Sequence, residues 1–409
     1  MTRSSHPDRP LAGRRIEMRR RQRGLSRKVV ANLVGRSEEW LRLVESGQRR
    51  LDSIDVLARL AVILQVHDVA ELIDWPNHKL PRPTGKPPDE LHQLRQVVID
   101  HPALRVRDDP PVETHTPQPL SSALRECRRI WTTAPHRYSQ VSARLPALIA
   151  VARTAHWQRR DLETAAQLID AYHLARDLLT AAGDHRTAAT VADRALEIAA
   201  QVRQPLFLAA SAWHVADGML HADDPMDGHD YALTAAHRLA EAELTCPDAE
   251  ILGEALRLLA AHGAALAGDL AESARLLEQA GLAARARGHD RAARGIPFGP
   301  VELGIAEVNI ALAQHDPDQA IRLARRVCLT EEQALGRRAA YHIDQARAYI
   351  LRREDAEATI ALMKIATISP EDLYYDADAR NCVQHLVRRD NYLTRTEVAH
   401  LADLAGITR

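Results

Sequence analysis

Aromatic side chains are scarce: Phe, Trp and Tyr make up 4% of the 409 residues, and only two are Phe. Sandwiches and barrels draw on aromatic and β-branched side chains, so this scarcity argues against a β-rich fold. The four cysteines, Cys127, Cys246, Cys328 and Cys382, lie far apart, with no CxxC or Cys/His finger spacing. That excludes a zinc-finger pattern and favours reduced thiols in a cytoplasmic protein. No apolar run reaches transmembrane length, and the opening MTRSSHPDRP lacks the apolar core of a signal peptide, so no membrane partner is expected. Chemistry leaves no spacing either. The twenty histidines form no HExxH, no HxH with a carboxylate nearby and no duplicated Glu-x-x-His pair. Gly85 and Lys86 lack the earlier glycine of a phosphate loop and sit among prolines. The chain is expected to be no enzyme and to hold no metal or cofactor.

What is present is alanine, leucine and arginine, the composition of helices packed through small residues, in a chain long enough for two or three domains. Charge is unevenly spread. Residues 1–60 hold fifteen Lys/Arg against seven Asp/Glu, an excess of eight, whereas the whole chain carries −1, leaving −9 on the rest. A basic N-terminal segment fits a polyanion partner.

Within that segment, residues 25–50 read LSRKVVANLVGRSEEWLRLVESGQRR. Ser26 is an N-cap for a short helix in which Val29, Val30 and Leu33 are expected to turn inward and small Ala31 permits a close approach. Gly35 ends that helix in a position suited to positive φ. Ser37 caps a second helix carrying Trp40, Leu41 and Val44, with Gly47 as its stop. Two short helices joined by a glycine turn make a helix-turn-helix unit, whose second helix is shaped for a DNA major groove. Ile54, Leu57, Ala58, Ala61 and Leu64 repeat at helical spacing for a fourth helix, and a fifth is expected to end near Trp75. Ile16, Val30, Leu33, Leu41, Val44, Leu57 and Leu60 are the expected core.

Ser26, Ala31, Gly35, Glu45 and Gly47, with Arg20 upstream, stand in the register of the Cro/cI-type repressor family, which residues 11–73 resemble. The resemblance implies a bridge between Arg20 and Glu45. It also implies a double-stranded DNA interface drawn from Ser26, Arg27, Lys28, Arg36, Ser37, Glu38, Glu39, Trp40, Arg42, Gln48, Arg49 and Arg50, with Arg49 and Arg50 on phosphates. The chain departs from the family where Glu38 and Glu39 replace frequent glutamines, and where Arg27 replaces another. A carboxylate can accept from cytosine N4, or simply stabilise the positive end of the helix dipole. Both readings stay open for Glu38; the dipole reading is preferred for Glu39.

Residues 1–10 are expected to be disordered. Residues 76–119 contain ten of the twenty-one prolines and read as a linker, interrupted by ELHQLRQVVIDH, a short helix that could dock on either neighbour or on a second subunit. From residue 120 to 409 nearly everything reads as helix. The segments 181–195, 266–280, 312–326 and 351–365 align on a break begun by Gly183, Gly268, His315 and Arg353, with Ala188, Ser273, Ala320 and Ala358 five residues later. The breaks stand 85, 47 and 38 residues apart, leaving room for a hidden unit around residues 213–242. This pattern resembles the tetratricopeptide repeat, with Tyr172 and Ala195 at its large and small positions. The expected fold is therefore all-α: a five-helix head at 11–75 joined to a tetratricopeptide-like solenoid with a concave inner surface, each pair burying its apolar face against its neighbours, and two C-terminal helices as a cap.

The repeat register projects Asp170, His173, Asp177, His214, Asn309 and Arg347 inward as candidate ligand residues. The loop RGIPFGP at 294–300 is a second candidate, in which Phe298 plugs a groove or anchors a turn. A Cro/cI-type head on such a body resembles the peptide-sensing regulators of Gram-positive bacteria and similar actinobacterial regulators. That resemblance implies a homodimeric transcription regulator modulated by a peptide or small-molecule effector. Two other readings stay open: a body that docks a protein partner without a small signal, and a helical-repeat enzyme carrying a DNA head.

Overall fold

A computed structural model describes residues 13, 16, 17, 20, 23, 25–46, 48, 49, 56, 59, 60, 63, 64, 91–100, 119–220, 225–331 and 333–407. The chain divides into two compact units, Met1–Arg82 and Pro83–Arg409. Among the described residues the fold is all-α apart from one small hairpin.

In the first unit, helix α1 (Arg27–Val34) and helix α2 (Glu38–Glu45) flank the Gly35 turn. Ser26 Oγ accepts from the Val29 amide at 3.2 Å, and Ser37 Oγ accepts from the Trp40 amide at 3.1 Å, so each side chain satisfies one orphan donor of its helix. Gly35 adopts φ +75°, a conformation that a Cβ disfavours, and the Arg36 amide donates back to Ala31 O at 2.9 Å. Ile16, Val30, Leu41, Val44 and Leu60 form the core as expected, joined by Ala31, Val34 and Leu64. The expectation for Val29 and Leu33 fails: they are 45% and 58% exposed. An eight-residue helix holding Val29/Leu33 and Val30/Val34 offers two apolar edges one residue apart, and the inward one is Val30/Val34. Helix α2 ends at Ser46, whose φ is ordinary; Gly47, Leu57 and the fifth helix near Trp75 lie outside the described residues, as do residues 1–10.

In the second unit, helix α3 (His92–Ile99) belongs to the body rather than to a free linker. Leu91, Leu94 and Val98 are wholly buried there, Arg95 pairs with Asp184 at 2.6 Å, and the guanidiniums of Arg153 and Arg194 take up carbonyls at the helix end. Helices α4 (Leu120–Thr133), α5 (Arg137–Ser142) and α6 (Leu145–Arg159) follow. Paired helices come next: α7 (Leu162–Ala181) with α8 (His185–Val202), α9 (Pro205–Met219) with α10 (Pro225–Glu241), and α11 (Pro247–Leu266) with α12 (Leu270–Arg287). The second of these pairs is the unit hidden in the repeat spacing. Strands β1 (Arg291–Ala293) and β2 (Ile296–Phe298) form an antiparallel hairpin with Ala293 opposite Ile296; its Phe298 is fully buried and anchors the turn. Helices α13 (Pro300–Ala313) and α14 (Pro317–Ala324), then α15 (Leu335–Arg352) and α16 (Asp355–Ile368), complete the pairs. Helices α17 (Pro370–Tyr375), α18 (Ala377–Arg389) and α19 (Arg395–Leu404) close the chain.

The four aligned breaks share one geometry. Gly183, Gly268, His315 and Arg353 all have positive φ, between 58° and 85°. The next residue opens the following helix, and Asp184, Asp269 and Asp316 each accept from the backbone amide three residues on, at 3.2, 3.0 and 2.8 Å. Ala188, Ser273, Ala320 and Ala358 are buried, as close approach of paired helices requires.

Some contacts depart from neighbour-only packing. Helix α5 meets α17, 235 residues later: Arg137 pairs with buried Asp372, and the Tyr138 and Tyr375 rings stack at 4.9 Å. Glu371 Oε2 accepts from the Tyr138 and Ser139 amides at 2.8 and 3.2 Å, satisfying the start of α5.

Candidate nucleic-acid interface and the polar clusters of the body

The head is held by a buried carboxylate. Glu45, at the end of α2, has a side chain 2% exposed; it accepts from Arg20 Nε at 2.6 Å and Nη2 at 3.2 Å, and from Arg27 Nε at 2.6 Å. Arg20 also donates to Leu25 O at 2.8 Å, fixing the chain just before α1. Burial opposes ionisation of Glu45, but Arg20 and Arg27 outweigh it and hold its carboxyl below the usual range. Gly13 carries no Cβ because one there would collide with the carbonyls of Val44 and Glu45. Together these contacts fix α2 against the rest of the head.

The outward residues sort by what they touch. Arg27 is turned to Glu45 and, at 3.5 Å, to Glu17, so its charge serves the clamp. Glu39 is bound bidentately by Arg42 at 2.8 and 2.6 Å, a pair that lowers the Glu39 pKa. Ser26, Lys28, Arg36, Ser37, Glu38, Gln48 and Arg49 are exposed. The Gln48 and Arg49 amides both donate to Leu43 O, at 2.9 and 3.0 Å, which pins the loop after α2. Asn32, Gly35, Arg36, Ser37, half-buried Trp40 and Arg49 line an open hollow of about 610 Å³. Arg50 lies outside the described residues.

In the body, four of the six candidate ligand residues come together. Asp170, His173 and Asp177 share one face of α7, and His214 on α9 brings its ring centroid to 4.2 Å from that of His173. Ser211 Oγ sits 3.0 Å from His173 Nε2, and Asp177 Oδ1 3.5 Å from His214 Nδ1. Burial, reinforced by surrounding arginines, drives both imidazole pKa values well below normal, so both rings are neutral at pH 7. Burial also raises Asp177, against the pull of Arg128 at 3.0 Å and of Arg176. Nδ1 of His173 and both ring nitrogens of His214 are buried without a hydrogen bond.

The sequence missed the cations around this cluster. Arg128 comes from α4, Arg176 pairs with Asp217, and Arg294 from the hairpin pairs with Asp170 and lies 4.0 Å over the Phe207 ring. Only Arg294 had a signal, as the first residue of the singled-out loop. Asn309 and Arg347 stand in a different cluster. With its amide nitrogen facing Asp344, Asn309 donates to both carboxylate oxygens at 3.0 and 2.8 Å, and Arg347 donates to the same carboxylate at 3.2 Å. Burial lifts the Asp344 pKa to about 6.

Among the described residues no group of His, Cys, Asp and Glu is arranged to hold a metal, and no helix is long and apolar enough to cross a membrane. No curated protein matches the chain. Two solved structures align along nearly its whole length. The apo competence regulator ComR from Streptococcus vestibularis does so at 11% identity, over 98% of this chain and 99% of that one, with a TM-score of 0.23. Bacillus thuringiensis PlcR, in complex with the peptide PapR7 and DNA, does so at 12% identity, over 97% and 96%, again with a TM-score of 0.23. The helix-turn-helix domain family matches residues 11–73, the span of the caps, the Gly35 turn and the Glu45 clamp. The chain thus carries an N-terminal DNA-binding helix-turn-helix domain, followed along the sequence by a body of packed helix pairs.

Proposed function

We propose that the protein is a sequence-specific transcription regulator that binds double-stranded DNA as a homodimer, under the control of a peptide or small-molecule effector held in the body. The observation that carries the DNA reading is the clamped α2 beside an open hollow edged by Arg36 and Arg49. In this reading α2 enters the major groove, Arg36 and Arg49 hold phosphates, and Glu38, exposed and without a partner among the described residues, accepts from a cytosine amine. One head reads few base pairs, so two heads on paired half-sites supply the affinity.

The effector reading rests on the cluster around His173 and His214. Buried imidazole nitrogens without partners cost roughly 1–3 kcal/mol each, and a polar ligand that satisfies them recovers that cost. Such a ligand shifts the DNA-competent population only through its differential affinity for the two states of the body.

The test is selection of bound duplexes from a random pool, followed by titration of the winner against salt. Arg49→Ala should weaken binding to every sequence and reduce the salt slope by about 0.9 per head, roughly 1.8 for the dimer, one phosphate contact each. An unchanged slope removes Arg49 from the interface; failure to enrich any sequence ends the reading.

A further inference from the structure

The body has a second hollow, of about 370 Å³, that belongs to neither polar cluster. Its lining includes apolar Val327 and Leu329, from the segment after α14, and Tyr341 on α15. It also includes two cations, Arg338 from α15 and exposed Lys364 from α16. Two other arginines of α15 are already bound, Arg337 by Glu302 and Arg352 by Asp318 and Glu354. Arg338 and Lys364 make no ion pair among the described residues.

Three of the lining residues are joined by hydrogen bonds. Tyr341 Oη donates to Ala324 O at 2.6 Å, Gln345 Nε2 donates to Tyr341 Oη at 3.0 Å, and Gln345 Oε1 faces His342 Nδ1 at 2.9 Å. With its amide nitrogen so committed, Gln345 accepts from His342, which fixes the proton of the neutral ring on Nδ1. Burial lowers the His342 pKa against the Gln345 hydrogen bond, and the charges of Lys364 and Arg338 lower it further. The hollow thus combines two cations that make no ion pair among the described residues with apolar side chains and hydrogen-bonded polar groups.

We propose that this hollow binds a small organic oxyanion, a carboxylate or a phosphate monoester on an apolar body, gripped by Arg338 and Lys364. Two cations without an ion-pair partner among the described residues supply charge-assisted hydrogen bonds to the anionic head, and Val327, Leu329 and Tyr341 cover its apolar part. The volume lies at the lower end for small-molecule sites and suits a ligand of one ring or a short chain. The site stands apart from the His173 cluster and does not rest on the effector reading given above.

The test is calorimetric titration of the full chain with phenyl phosphate and with benzoate, using benzyl alcohol as the uncharged control. At least one anion should bind and the alcohol should not; the tighter anion identifies the head group. Arg338→Gln and Lys364→Gln should each weaken binding about tenfold, the loss of one charge-assisted contact. Both side chains reach solvent, and circular dichroism checks that the variants keep their fold. Because the head also carries unpaired cations, Arg49→Gln is the decisive control and should leave the affinity unchanged. The proposal is overturned if neither anion binds at millimolar concentration, if the alcohol binds equally well, or if Arg338→Gln and Lys364→Gln both keep wild-type affinity, whatever Arg49→Gln does.

Discussion

Replacing Arg20 by alanine should loosen the head and leave the body intact. The magnitude follows from Glu45, whose side chain is 2% exposed and whose two oxygens are shared between Arg20 and Arg27. Removing one partner of a buried ion pair costs about 3–5 kcal/mol, because the remaining charge keeps its desolvation cost. Arg27 still holds one oxygen at 2.6 Å but is itself 36% exposed and screened, which lowers the expectation to about 2–4 kcal/mol. Amide exchange followed by mass spectrometry on the full chain reads this directly: residues of α1 and α2 should exchange about 30- to 800-fold faster. Exchange in α7 and α11 should not change. Arg20→Met with Glu45→Leu removes both charges and should recover most of the loss, short of the Arg20 bond to Leu25 O. The sign with pH is fixed as well. Glu45 has a folded pKa below its unfolded value, so its contribution is complete above the ordinary carboxylate range and is lost as pH falls through the lower folded value. In acid, wild type should approach Arg20→Ala. Wild-type exchange rates in Arg20→Ala, or a double variant as loose as the single one, would refute the reasoning.

Two further outcomes are expected in the body. Asp344 has a folded pKa near 6, above the unfolded 3.8, so the folded state binds the extra proton and stability falls as pH rises through that window. Asp344→Asn should flatten this part of the stability curve, by up to about 3 kcal/mol between the two ends; chemical denaturation at pH 4 and pH 7 measures it. At the repeat breaks, His315 and Arg353 sit at φ 58° and 62°, where a Cβ costs about 1–2 kcal/mol. Replacing each with glycine should gain about 0.5–1 kcal/mol after the added freedom of the unfolded chain is subtracted. Gly268→Ala, which has open space for its Cβ, should lose a similar amount through backbone conformation alone, and melting temperatures check all three.

The helix-turn-helix backbone and the repeat breaks were legible for the same reason: each is a local backbone requirement met by one residue type. Ser26 and Ser37 satisfy helix starts, Gly35 takes the left-handed turn, and Gly183 and Gly268 do so again before an aspartate cap. The phase of α1 was not legible, because Val29, Val30, Leu33 and Val34 offer two apolar edges and only the packed head selects one.

What the sequence determined alone is the set of conformations each short stretch can hold: helical composition, caps, positive-φ breaks, and small residues where paired helices touch. Tertiary structure decided which distant side chains meet. Arg128, His173, His214 and Arg294 converge, and Arg137 reaches Asp372, only because the packing of the intervening helices brings distant segments together. No window of sequence encodes that, since it depends on how whole helix faces fit together.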